Sequence, residues 1–439
     1  MKNKIIFLVA LFSFALPWAS AQNLAAQDAR IQDARIKESN RLKPFDITNP
    51  NILILSSNLG GGHTSASNAA RDAILGANSK ANIVIKNADD FSTNLQDSLQ
   101  MNIYLQSIQH CPGIANMAYN HMMKQASHSL EYLTSQIKID DLVEYIEENH
   151  FTHIICTFSC PAAALAIAKS NGKLQRQKIS FIVTDMVVEA FPLIAKSLDM
   201  TFLPHNTLVN GYLNMGVSES QLAVTGMPIS DKVKDPINRK DFLLQHQLDP
   251  NIYTITLAGG GEGIGNFPLI IQSIAKSFNH EPVQIIVVCG RNEQHSIDLR
   301  KIIKRYKSQG VTLHVLFHKS YDEATSSYKV SLTPQADLFG FIKSSDLYIT
   351  KSGGLAPCEA AAIGVPMILL DIFGAQEARN AKFYKEQNIG LVTENQAQVG
   401  QLVLEIKKSQ ALRDKMLYHQ NAFANTLNFN PIIDFVYKQ

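Results

Sequence analysis

The sequence holds five cysteines in 439 residues (Cys111, Cys156, Cys160, Cys289 and Cys358), an odd number without zinc-like pairing. That argues against a disulfide framework or a zinc site, and Cys156 and Cys160, near a strand end, read as buried small residues. A net charge of only +2 gives no reason to invoke nucleic acid, while a basic patch facing lipid stays open. The amino-terminal apolar run, Ile5 to Leu16, is about 12 residues long, too short to span a bilayer comfortably. No G-x-G-x-x-G fingerprint follows the first apolar strand, which argues against a dinucleotide oxidoreductase. No Asp-x-Asp pair stands at a strand end, so no essential metal is expected, and no cofactor either.

What is present describes an ordinary globular chain. A hydrophobic fraction of 46% supplies ample core, and the length exceeds one average domain, so two are expected. Lys2 and Lys4, the apolar run and Ala19-Ser20-Ala21 form a secretory signal pattern at residues 1–21, read as a cleaved signal with an uncleaved anchor second. Residues 22–45 contain QDARI twice in succession and read as a polar linker, because a five-residue repeat drifts around a helix. Two domains follow, at 46–235 and 236–439, and Pro431 to Val436 can pack back on the first.

The most informative stretch runs from Tyr348 to Asn380. Leu347 to Thr350 reads as a buried strand, and Ser352, Gly353 and Gly354 let the backbone turn tightly toward a ligand. A helix starting near Pro357 ends at Gly364, the strand Val365 to Leu370 follows, and Gly374 to Glu377 lead into another helix. Polar residues at the carboxyl ends of such strands occupy the place where open α/β sheets bind ligands. Amides at a helix start suit a pyrophosphate. Glu359 is placed to accept both hydroxyls of a ribose, and Gln376, Glu377 and Asn380 could reach sugar hydroxyls. Taken singly, each of these reads about equally well as a turn former or solvated side chain; the spaced set does not.

Two further glycine turns stand out. Asn51 to Leu55 is an apolar strand, Ser56 to Gly62 a polar turn, and Thr64 to Leu75 a helix capped by Thr64 or Ser65. Gly61 and Gly62 place an exposed imidazole, His63, at that helix start. Tyr253 to Leu257 is a strand entering Gly259-Gly260-Gly261-Glu262-Gly263, whose Gly261 and Gly263 could cradle phosphate before a helix from about Pro268 to Phe278. Arg291 follows the next strand and could fork a diphosphate, or lie on the surface. Asp185, at the end of the strand Ile179 to Thr184, reads equally as an acceptor-side group or a structural carboxylate.

SGGLAPCEAAAIGVPMIL followed by GAQEARN resembles the donor-site signature of glycosyltransferase family 28, and above all its diacylglycerol glycosyltransferases. GGGHTSASNAA resembles the GGGH-x-x-A motif of the same enzymes, roughly 300 residues upstream and in the family's order. Ala375 is an extra residue inside the second piece. The family's histidine and aromatic after the Thr-Asp pair are replaced near Glu189, Ala190 and Phe191, which touches acceptor identity more than donor identity.

The resemblance implies the GT-B fold, two facing α/β domains with a cleft between them. It implies a UDP-sugar donor and a lipid acceptor such as diacylglycerol, reached through peripheral contact with a membrane, and no nucleic acid. It implies further that Glu359 holds the ribose, that Gln376 and Glu377 contact the donor sugar, and that His63 is a candidate base near the acceptor hydroxyl. The segment Asp89 to Thr134 corresponds to the acceptor side, where Tyr104, Ile108, Ile114, Met117, Tyr119, Met122 and Met123 form either an acyl-chain surface or core. Val315 to Asp337 reads as a loop insertion. The signal pattern conflicts with this function, since nucleotide sugars are normally absent across the membrane. Other readings are a non-lipid acceptor transferase, a UDP-GlcNAc 2-epimerase, or an exported nucleotide-sugar-binding protein without turnover.

Overall fold

The computed structural model describes residues 49–57, 61–92, 137–188, 196–261, 263–290, 297–299, 301, 306, 310–316, 319–322, 327–330, 335–371 and 375–438. The signal and linker segments, residues 93–134 with their apolar stripe, Glu189 to Phe191, and Arg291 lie outside the described residues.

Two six-stranded sheets, both parallel throughout, form the framework. The first comprises β1 (Asn51–Ser56), β2 (Asn82–Asn87), β3 (His153–Cys156), β4 (Lys178–Ile182), β5 (Met200–Leu203) and β6 (Leu222–Val224), in the order β2-β1-β3-β4-β5-β6. The second comprises β7 (Tyr253–Ala258), β8 (Val283–Val288), β9 (Val311–Leu316), β12 (Leu347–Lys351), β13 (Met367–Leu370) and β14 (Leu391–Thr393), in the order β14-β13-β12-β7-β8-β9. Strands β10 (Lys319–Asp322) and β11 (Ser327–Val330) pair with each other as an antiparallel hairpin. They occupy the stretch read as an irregular loop insertion, so that expectation is corrected: the insertion carries its own two-stranded pairing.

Continuous apolar strands are what a parallel sheet covered on both faces requires. Strand β1 shows this: Leu53 and Leu55 join a cluster with Ile154, Cys156 and Leu165, whereas Ile52 and Ile54 join Ile74, Phe202, Ile432 and Val436 on the other face. The last two belong to the carboxyl-terminal helix Asn430–Tyr437, which therefore covers the first sheet. Lys178 Nζ ties its end by donating to the Lys438 carbonyl at 2.9 Å.

In each sheet the strand order reverses at one point, between β1 and β3 in the first and between β7 and β12 in the second. Open α/β sheets bind ligands just beyond the carboxyl ends of the strands at such a reversal. The turns after β1, β3, β7 and β12 are thus the ones that position a site.

Candidate active site between the two sheets

His63 lies in the first turn of α1 (Gly61–Ala77), which begins three residues earlier than the sequence reading placed it. Thr64 consequently does not cap the helix; its hydroxyl donates to the Ser57 carbonyl at 3.3 Å, tying the helix to the end of β1. The imidazole is half-buried, not exposed as expected. Its Nδ1 lies 2.7 Å from the carbonyl oxygen of Thr157, at the end of β3, and 3.1 Å from Thr184 Oγ1, beyond β4. A carbonyl can only accept, so Nδ1 carries the proton and Nε2 keeps its lone pair. The ring stands edge-on to Phe158, with centroids 5.1 Å apart. Burial pushes the imidazole below its ordinary value of 6.5; the Thr157 bond opposes this and the nearby Lys351 charge adds to it. His63 is therefore neutral at pH 7, the form that can accept a proton.

The opposite wall comes from the second sheet. Ser352, Gly353 and Gly354 turn the chain from β12 into α4 (Ala356–Ile363), counting Ser159–Ser170 as α2 and Phe267–Phe278 as α3. Ser352 Oγ donates to the Leu370 and Glu377 carbonyls at 3.3 and 3.1 Å. Tyr384, fully buried on α5 (Ala375–Glu386), pins the turn from behind, its hydroxyl donating to the Gly354 and Gly353 carbonyls at 2.7 and 3.2 Å. Helix α4 has no side-chain cap, and its first turn carries the buried Glu359. The glycine turn after β7 is different. Gly263 N donates to the Gly260 carbonyl and Ile264 N to the Gly259 carbonyl, and Asn266 caps α3 through Leu269 N. Two of the amides expected to cradle phosphate there are spent inside the loop, and at the uncapped start of α4 Pro357 has no N–H and Cys358 N donates to the Leu355 carbonyl, so neither turn presents a full set of amides.

The two walls meet. A Cβ built on Gly261 would stand 3.1 Å from the Gly61 amide nitrogen, so the glycine turns after β1 and β7, with Gly62 beside them, face each other directly. Gly354 approaches the first sheet still more closely: a Cβ there would fall 1.8 Å from the Thr184 carbonyl oxygen. Around that contact Asp185 accepts hydrogen bonds from Gln376 Nε2 and, at 2.7 Å, from Asn380 Nδ2. Asn380 Oδ1 in turn accepts from the Met186 amide at 2.8 Å. Asn380 is fully buried with both ends of its amide on the first sheet, a strut across the cleft and not a free hydroxyl-binding group. Burial raises the Asp185 carboxyl to about 6; the Asn380 bond and the Lys351 charge pull it down, and the Glu377 charge pushes it up.

Glu377, in the first turn of α5, pairs with Lys351 at the end of β12. Its second oxygen, Oε2, is buried without a hydrogen-bond partner. Buried acceptors are nearly always satisfied, so this one is a natural recipient for a ligand hydroxyl. Among the described residues, no group of three or more His, Cys, Asp and Glu could hold a metal ion. A cavity of about 500 Å³ lined by Tyr253, Lys343, Asp346, Lys407 and Arg413 lies at the amino-terminal edge of the second sheet, where none of the glycine turns reaches it.

Thr157, Thr184, Lys351 and Tyr384 were not picked out as site residues by sequence reasoning. A threonine at the end of a buried strand signals little by itself. The lysine between an apolar strand and two glycines was the one readable clue.

Residues 63–229 match the family model described as monogalactosyldiacylglycerol (MGDG) synthase. The chain resembles the diacylglycerol glycosyltransferases of family 28. It is 29% identical over 197 residues to a processive diacylglycerol beta-glucosyltransferase of Staphylococcus aureus strain JH9, a stretch covering 44% of each chain, so the match spans less than half of that relative. With the enzyme of the same name from Staphylococcus carnosus it shares 23% over 367 residues, 82% of this chain and 86% of the other. Among solved structures, a putative UDP-N-acetylglucosamine 2-epimerase from Listeria monocytogenes superposes with a TM-score of 0.57 at 14% identity, over 88% of this chain and 96% of that one. MurG of Acinetobacter baumannii gives 0.50 at 13%, over 89% and 100%. At such identities the structures speak for the fold alone, and that fold is GT-B. No helix among the described residues is long and apolar enough to cross a membrane.

Proposed function

We propose that this chain is an inverting glycosyltransferase that moves a hexose from a UDP-sugar to a lipid hydroxyl, with diacylglycerol as the acceptor. The carrying observation is the meeting of His63, on the first sheet, with the Ser352–Glu359 turn and the Gln376–Glu377 helix start, on the second, across one cleft. The match of residues 63–229 to the MGDG synthase model and the names of the Staphylococcus relatives support the acceptor class.

In this reading Glu359 holds the ribose hydroxyls, and the uncapped first turn of α4 with Gly353 and Gly354 receives the diphosphate. Glu377 Oε2 and Gln376 take the sugar hydroxyls. The acceptor oxygen attacks the anomeric carbon from the face opposite UDP. Its proton passes to His63 Nε2, and the bond from the anomeric carbon to the β-phosphate oxygen breaks with its electron pair, leaving as UDP. Thr157 keeps the imidazole in the tautomer this needs and stabilises the imidazolium through the same bond. A positioned base of this kind is worth about 10²- to 10⁴-fold in rate. Closing the two sheets over the pair excludes water and so favours transfer over hydrolysis. A lipid acceptor also requires the protein to work at a membrane surface.

The test is product analysis with UDP-glucose, UDP-galactose and UDP-GlcNAc, each offered with diacylglycerol vesicles, beside calorimetric titration of UDP into the wild type and Glu359→Ala. The expected results are a glycosyl-diacylglycerol of inverted configuration from one donor, and loss of UDP affinity in the variant. Conversion of UDP-GlcNAc to its 2-epimer, or UDP binding without any product, would replace the reading.

A further inference from the structure

Lys351 ends a buried strand and yet does not turn out to solvent; its side chain is 27% exposed. It crosses the point where the second sheet reverses its strand order. A Cβ on Gly260, in the turn after β7, would fall 2.7 Å from Lys351 Cε and 3.4 Å from Cδ, so the aliphatic stem lies directly over that glycine. Gly260 also has φ +69°, in the left-handed region that glycine alone adopts freely. At the far end Nζ lies 3.6 Å from where a Cβ of Gly353 would stand, in the turn after β12. The ammonium is therefore held between the two glycine turns of the second sheet. Its charge is felt across the cleft, at His63 and at Asp185.

We propose that Lys351 is the cation that receives the nucleotide's diphosphate and stabilises it as the leaving group. The proposal rests on the transferase reading above and adds a catalytic residue to it. As the bond from the anomeric carbon breaks, its electron pair moves onto the β-phosphate oxygen. Lys351 keeps its own proton and donates a charge-assisted hydrogen bond to that oxygen. Glu377 is the counter-ion that Lys351 holds in the structure. When the donor binds, the diphosphate takes over the ammonium and Glu377 turns both oxygens to sugar hydroxyls, which satisfies the buried Oε2 that now has no partner. A purely structural ion pair would explain the contact with Glu377 but not the glycine bed under the stem or the position between two ligand-facing turns.

The test is calorimetric titration of wild type, Lys351→Gln and Lys351→Arg with uridine, UMP and UDP, together with kcat on the active donor. Lys351→Gln is expected to bind uridine like the wild type, to lose about 10- to 100-fold for UDP, and to lose kcat beyond the change in KM. Arginine should recover part of the UDP affinity. A second variant, Glu377→Gln, removes the competing carboxylate and is expected to widen the preference for UDP over uridine. Equal UDP affinity in Lys351→Gln and wild type, or an equal loss for all three ligands, overturns the role of Lys351 and leaves the transferase reading standing. An unchanged UDP-to-uridine ratio in Glu377→Gln overturns it as well. A wild type that binds none of the three ligands overturns both.

Discussion

Gly354→Ala probes the contact between the two sheets at its tightest point. The new methyl carbon would begin 1.8 Å from the Thr184 carbonyl oxygen and 2.9 Å from its carbon, both backbone atoms that cannot rotate away. Reaching an ordinary contact of 3.4 Å requires the turn and the first sheet to separate by about 1.6 Å. That displacement stretches the 2.7 Å bond from Asn380 to Asp185 and the 2.8 Å bond from Met186 to Asn380 past 4 Å, where neither survives. One of the two is made to a carboxylate, so the combined loss is about 2–4 kcal/mol. It also moves His63 by about the same distance from any sugar held on the second sheet, enough for roughly 10²-fold in kcat/KM. Denaturant unfolding followed by tryptophan-independent circular dichroism gives the first quantity, and transfer kinetics the second. A Gly354→Ala protein with unchanged unfolding midpoint and unchanged kcat/KM would show that the two sheets do not close on each other at this residue.

Because the neutral His63 is the working form and burial holds its folded value below 6.5, the acid limb of kcat/KM should have its midpoint below 6.5; a midpoint above 6.5 in a pH–rate profile contradicts the burial of the imidazole. Asp185 titrates near 6 in the folded protein against 3.8 for an ordinary carboxyl, so between those values the folded state binds the extra proton and stability from this group falls as pH rises. Relative to Asp185→Asn, the wild type should lose at most about 3 kcal/mol of unfolding free energy between pH 4 and 6.5; a wild type that instead gains stability on the variant as pH rises refutes the assignment. Tyr384→Phe removes the two bonds that pin the Ser352–Gly354 turn and should lower stability by about 1–2 kcal/mol while weakening UDP binding. Equal UDP affinity in that variant would mean the turn holds its shape unaided.

Much of the fold was legible because parallel sheets covered on both faces leave a plain mark: ILIL in β1 and IIVV in β8 are apolar at successive positions, YTITL in β7 interrupts its apolar residues only with threonine, and each lies in a buried strand. The start of α1 was misplaced because two glycines argue against a helix, yet here they sit in its first turn, with Gly61 against Gly261, where a Cβ on Gly261 would come within 3.1 Å of the Gly61 amide nitrogen. The hairpin of β10 and β11 was read as a loop because its residues are polar and carry no core-facing alternation. Within the site, Glu359, Gln376 and His63 were readable because their spacing to glycines is local. The pairing of Asp185 with Gln376 and Asn380 joins residues more than 190 positions apart and leaves no local trace. Lys351 was missed for a related reason: whether a lysine after an apolar strand enters water or folds back over a glycine depends on a neighbouring strand nearly a hundred residues earlier.

The measurement closest to the central claim is single-turnover transfer from a labelled UDP-hexose to diacylglycerol by the wild type and by His63→Ala, with UDP affinity measured alongside. The expected result is a glycolipid formed by the wild type, at least 10²-fold slower formation in the variant, and unchanged UDP affinity in both. Transfer at the wild-type rate by His63→Ala, or no transfer from any UDP-hexose by a wild type that binds UDP, would contradict it.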